Sequence, residues 1–306
     1  MNTQRPNIGT HRLRAALARW ELAVLTAFLS LPAAGATAGQ AVATNFLHRT
    51  TIDGTVIITR YAGPGGDVTI PAEIEGLPVV EVGYGSFQSC DNVTSVTIPR
   101  GVTSISHYAF AACTSLTDVD LPDSITVIGP YAFSKCSGLT SLRIPDSVTT
   151  IGMWAFEGCS GVTNVMIPNS VTGIGSAAFS QCKALSSVEL PSSIARIEND
   201  LFSDCTGLTN IAIPDSIAWI GAKVFANCTK LGAITIPDSV TRIDEGAFAN
   251  CSGLANVRIP DSVTNLSGFV FAGCAGLTNV ALPNTIAAVP ISTFQGCSAL
   301  SEIMAL

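Results

Sequence analysis

Apolar and polar residues alternate along this chain in a pattern that repeats every 23 residues. The segment Pro145 to Ile167 is typical, and copies begin at Pro99, Pro122, Pro168, Pro191, Pro214, Pro237, Pro260 and Pro283. A 28-residue version with a five-residue insertion opens the series at Pro71, so ten copies span 71–306. A fixed period in the twenties predicts a solenoid, in which each unit buries its apolar face only against its neighbours. Within a unit, Leu139–Ile144 alternates so that Leu142 and Ile144 point inward and Arg143 outward, a half-buried strand. Pro145-Asp146-Ser147 then turns the chain. Val148–Ile151 forms a second short strand, and a helical turn is expected to carry Ala155, Phe156 and Cys159, since a spacing of three suits one helical face. Stacking the copies gives two uninterrupted columns: phenylalanine from Phe87 to Phe294 and cysteine from Cys90 to Cys297.

Upstream the pattern changes. Residues 1–38 read as a secretory signal: Arg12, Arg14 and Arg19 precede the short apolar run Leu22–Leu31, and Ala36-Thr37-Ala38 is a cleavage pattern. Residues 39–70 read as an N-terminal β capping segment. Phe46–Thr51 and Thr55–Tyr61 flank Asp53-Gly54, a hairpin dipeptide, and Gly63–Gly66 turns the chain into Val68–Ile70. At the other end, Leu306 falls inside the tenth strand without a polar cap. Self-association through that C-terminal edge is therefore one expectation.

The residues at Leu139-x-x-Leu142-x-Ile144-Pro145 and Ile151-Gly152-x-x-Ala155-Phe156-x-x-Cys159 form a pattern that recurs ten times. In it the chain resembles the BspA-type leucine-rich-repeat family of bacterial surface proteins and some protist proteins. The resemblance implies a β-rich repeat solenoid: a right-handed leucine-rich-repeat coil with a parallel sheet on its concave side and short helical turns. It also implies adhesion to matrix proteins, host proteins or other cells, as for some members. That is an analogy of fold rather than of site.

Composition narrows the function classes. Hydrophobic residues make up 47% and charged residues 12%, which excludes a disordered chain. The formal charge is −7, and the chain without residues 1–38 carries −10. A binder of phosphate backbones needs clustered Lys and Arg, so nucleic acid is excluded as a partner. The apolar leader is too short to span a bilayer comfortably, and no membrane span is expected in the mature chain. All ten cysteines share one column, where parallel Cβ vectors suit neither disulfide torsions nor a tetrahedral metal site. Free buried thiols are the favoured reading, with scattered bridges the alternative. His11, His48 and His107 have no nucleophile or acid partner at equivalent positions. No phosphate loop, paired carboxylates or nucleophile elbow is found, so neither cofactor nor enzyme activity is expected.

Function then rests on the variable columns. The outward strand positions carry Asp118, Asp120, Arg143, Met166, Glu189 and Arg258, the first-choice surface for a partner. A second column holds Tyr108, Tyr131 and Trp154, which could stack on a sugar, anchor a protein or cover the turn beneath. Trp219 lies between Arg196 and Arg242, an arrangement suited to a ligand carboxylate or to cation–π packing. The expectation is a secreted or cell-surface, non-enzymatic solenoid that binds another macromolecule, a matrix or cell-surface protein or a glycan. A glycan-binding module and a self-associating envelope protein are the alternatives.

Overall fold

The computed structural model describes residues 43–286, 288–290 and 292–305. The secretory leader falls outside the described residues. So do the start of the capping segment and Leu306.

The typical 23-residue coil has two strands and one turn-rich face. The first strands pair in parallel at identical register, as in Asn164↔Ser187, Val165↔Val188 and Met166↔Glu189. The second strands do likewise, as in Thr150↔Gly173 and Ile151↔Ile174. In-register pairing follows from the fixed period: a one-residue slip would carry the inward Val165 or Val188 to the solvent side. Gly152 marks how closely coils approach, for a Cβ there would lie 2.3 Å from the Pro130 nitrogen.

The third face corrects the expected helical turn. Among the described residues from Thr44 onward no helix forms. In the Pro99 coil, Ala109, Ala111 and Cys113 donate locally to the carbonyls three residues back, of Ser106, Tyr108 and Phe110. The intervening amides of Tyr108, Phe110 and Ala112 donate instead to Pro130, Ala132 and Ser134 in the next coil. An α-helix needs every amide for its own i→i−4 ladder. Here every second one is committed to the neighbouring coil, so the segment is a run of tight turns. Its geometry places two residues per coil in the left-handed region, Tyr108 at φ 58° and Ala112 at φ 60° in this coil.

The phenylalanine ladder forms as expected. Successive rings from Phe87 to Phe294 stack with centroids 4.8–6.0 Å apart. Nine of the ten are fully buried and Phe294 only partly. Tyr61 extends the ladder by one ring, stacked on Phe87 at 4.9 Å. It comes from the expected hairpin, whose strands Phe46–Thr50 and Val56–Tyr61 pair antiparallel. Strand Val56–Tyr61 then pairs in parallel with Leu77–Val82 and so covers the first edge of the second-strand sheet. The insertion in the first repeat folds as a small hairpin, with Glu73–Ile74 antiparallel to Leu77–Pro78.

All ten cysteines are free, and eight are buried. Each thiol from Cys113 to Cys297 donates to the carbonyl of the phenylalanine one coil back, at 3.0–3.3 Å. Cysteine here is therefore a coil-to-coil hydrogen-bond donor as well as an apolar filler. Serines after the proline turns act in the same way, Ser147 Oγ donating to Ile125 O at 2.6 Å and Ser239 Oγ to Ile217 O at 2.7 Å.

The first-strand sheet is not continuous. Residues 139–144 and 231–236 keep their inward apolar residues but make no ladder to either neighbour, which leaves three separate three-stranded sheets. The strand expected at Leu139–Ile144 thus has the right facing, with Leu142 and Ile144 buried and Arg143 exposed, but lacks ladder partners.

Candidate functional site: the variable columns

The first-strand face holds six of the residues singled out by pattern. Asp118 and Asp120 stand on strand Asp118–Asp120, both exposed and two residues apart, hence on one side of the sheet. Arg143 lies in the unladdered segment beside them. These three residues, with Thr97, Ser141 and Asn164 among others, line a cleft of about 580 Å³. Arg143 does not pair with either aspartate across the cleft. It reaches Asp123 in the preceding proline turn at 3.3 Å, a contact exposed on both sides and worth little by itself. Met166 and Glu189 are register neighbours on paired strands, and Met166 is 65% exposed. Arg258 stands apart, three coils beyond Glu189. It contacts Asp238 at 3.6 Å and lines a separate cleft of about 390 Å³ with Asn256, Asn279, Glu302 and Met304. The structure therefore sets Asp118, Asp120 and Arg143 around one cleft, pairs Met166 with Glu189 on the next sheet, and places Arg258 at a separate cleft.

The aromatic column is a true stack. Tyr108 and Tyr131 lie 4.6 Å apart and 8° from parallel, and Tyr131 and Trp154 lie 4.9 Å apart at 14°. The rings are half-buried on one another rather than freely exposed. Their backbone is left-handed in every copy: Tyr108 at 58°, Tyr131 at 57°, Trp154 at 53° and, further along the column, Asp200 at 57° and Lys223 at 55°. Tyr84, absent from the pattern-based set, joins the column edge-on to Tyr108 at 5.7 Å. It is offset by one position, in the register of His107, so column matching alone passes over it. Next beyond Trp154 comes the small, buried Ala177, so one indole face has no ring against it.

On the second-strand face the guanidinium of Arg196 lies 5.7 Å from the Trp219 ring centre and that of Arg242 5.6 Å. Both arginines pack on the indole, and carboxylates of the chain itself already engage them. Asp244 accepts from Arg242 Nε at 2.6 Å and from Trp219 Nε1 at 2.9 Å, and Glu198 lies against Arg196 Nε. Bonding to Asp244 pushes the Arg242 pKa up. The period of two shows where these carboxylates sit, since each lies two residues beyond its arginine.

Among the described residues no group of three or more His, Cys, Asp or Glu side chains could hold a metal ion. His107 is exposed on the turn face and His48 half-buried in the hairpin. No helix among the described residues is long and apolar enough to cross a membrane.

In-register parallel coils, an unbroken aromatic ladder and a repeating turn face define a leucine-rich-repeat solenoid. A family model described as the BspA type leucine rich repeat region, in six copies, matches residues 80–209 and 172–301, and the chain belongs to this family. It is similar to the crystal structure of a Treponema pallidum leucine-rich-repeat protein, with 38% identity and a TM-score of 0.59, over 61% of this chain and 88% of that one. A leucine-rich-repeat protein from Bacteroides ovatus shows 31% identity and a TM-score of 0.66, over 86% of this chain and 75% of that one. The pneumococcal vaccine antigen PcpA, at 19% identity and a TM-score of 0.50 over 85% of each chain, shares the fold. A comparison with curated proteins finds no match. Leucine-rich-repeat proteins are typically interaction modules and generally non-enzymatic.

Proposed function

We propose that this protein acts outside the cytoplasm as an adhesion or interaction solenoid, binding a protein partner through the first-strand sheet. One observation carries the reading. Asp118, Asp120, Arg143, Met166 and Glu189 are exposed, differ from coil to coil, and stand on a backbone that otherwise repeats. A preformed surface of this kind loses little ordering entropy on association. The leader pattern at 1–38 supports a secreted or cell-surface location. The test is binding of the purified protein to immobilised matrix proteins and to cells, against a variant with all five residues changed to alanine. Loss of binding with an unchanged thermal melt is expected, and undiminished binding would sink the placement. Light scattering in parallel separates partner binding from self-association, which would show as concentration-dependent growth of the particle.

The Trp154 indole, which has no ring against one of its faces, favours a second reading, a glycan subsite, because sugar rings stack on such faces. It predicts that Trp154→Ala abolishes polysaccharide binding and leaves protein partners unaffected.

A further inference from the structure

The Arg196–Trp219–Arg242 stack ends abruptly. One coil before Arg196, the same column position is Gly173, and a Cβ built there meets no heavy atom within 4 Å. Nor does the backbone require glycine, because φ at Gly173 lies outside the left-handed region. The parallel ladder that joins second strands on either side is also interrupted between Gly173–Ile174 and Arg196–Ile197. An empty position one coil wide therefore adjoins the face of Arg196 that Trp219 does not cover. The Arg196 side chain is 63% exposed, which agrees with that face being open.

The chemistry of the vacancy is narrow. Glu198 neutralises Arg196 and Asp244 neutralises Arg242, so the stack offers little to a free anion. What is left is the flat face of a fixed guanidinium, which attracts the π face of an electron-rich ring. Rings elsewhere in this protein already stack from one coil to the next at 4.6–6.0 Å, so a ring seated over Gly173 would continue the existing column. The acidic chain disfavours nucleobases carried on a phosphate backbone. We propose that the open position at Gly173, against the outer face of Arg196, is a docking site for a tyrosine or tryptophan side chain of a protein partner. This site is on the second-strand face and stands or falls independently of the first-strand surface.

The test uses the full chain, labelled with 15N, and N-acetyl-tryptophanamide as probe, with N-acetyl-cyclohexylalanine amide as an apolar control without a π face. The tryptophan probe is expected to shift the Gly173 amide and the Arg196 Nε–H at millimolar concentration, by several-fold more than the control. Gly173→Thr supplies the side chain that Thr150 carries one coil earlier, and is expected to remove those shifts while leaving the thermal melt unchanged. Equal shifts from both probes, or full binding by a folded Gly173→Thr protein, would overturn the proposal. Arg196→Gln is a second variant at an exposed side chain, in case the first fails to fold. Loss of the tryptophan preference in it supports the site, and an unchanged preference rejects it. The five-alanine variant of the first-strand face keeps the probe shifts if the two sites are separate.

Discussion

At the scale of single residues, the cysteine column is a ladder of free thiols rather than a set of disulfides. Burial pushes the Cys182 and Cys228 thiols up to about 12, and the half-buried Cys90 and Cys297 to about 11. A thiol without thiolate character is a poor nucleophile and a poor target for oxidation. Because burial keeps the reagent out, iodoacetamide at pH 8 is expected to leave the eight buried thiols unmodified in the native protein and to label all ten in denaturant, as read by intact mass. The same shift sets a pH dependence. The unfolded Cys182 ionises near its ordinary value of 9.0, while the folded thiol holds its proton to about 12. Its contribution is therefore complete below pH 9 and is lost as pH rises toward 12, by about 1.4 kcal/mol per pH unit. Urea melts between pH 7 and 11 should show this fall, with a smaller slope in Cys182→Ala. Left-handed backbone gives a second residue-scale prediction. Lys223 sits at φ 55° with an exposed side chain, where the next copy of the column has Gly246. Lys223→Gly should raise stability by up to about 1 kcal/mol in the same melts, because relief of αL strain exceeds the added chain entropy.

At the scale of elements, the sequence was legible wherever a column is invariant. Phe156 and Cys159 recur without exception, and the structure stacks both columns. Spacing alone misled at the turn face, because a separation of three fits a helical face and a string of i→i−3 turns equally well. The distinguishing signal lay in a different column, at Gly158, Asn227, Asn250 and Gly273, whose glycine and asparagine are the residues most at home at positive φ. Tyr131 and Trp154 obscured the companion column, since neither residue type signals left-handed backbone. The interrupted sheet at 139–144 was not legible at all, because that segment obeys the repeat pattern in every position. Of the candidate surfaces, the Arg196–Trp219–Arg242 stack could be read from register and its carboxylates from the period of two, whereas the vacancy at Gly173 needed coordinates. The ladder also sets an energetic ordering. Phe179→Ala should cost about 3–5 kcal/mol as a buried truncation. Phe294→Ala, at a partly buried ring with a neighbour on one side, should cost clearly less. Equal losses in denaturant melts would contradict nearest-neighbour coupling.

At the scale of the whole solenoid, the period itself is the structural constraint. Deleting residues 237–259 removes 23 residues and brings Phe225 against Phe271 in unchanged register, so the shortened protein should fold with a modestly lower melting temperature. Deleting 237–258 removes 22. It displaces every downstream apolar column by one position and should abolish the cooperative transition seen by circular dichroism. Alternate amides on the turn face, thiols and serine hydroxyls all fasten a coil to its immediate neighbours. Under tension, such fastening makes the protein a series of mechanical fuses, one per coil. Pulled from its ends, it should yield one coil at a time, each rupture freeing about 75–80 Å of contour length. A protein that tethers a cell under flow could extend in steps and re-coil when the load drops, without letting go.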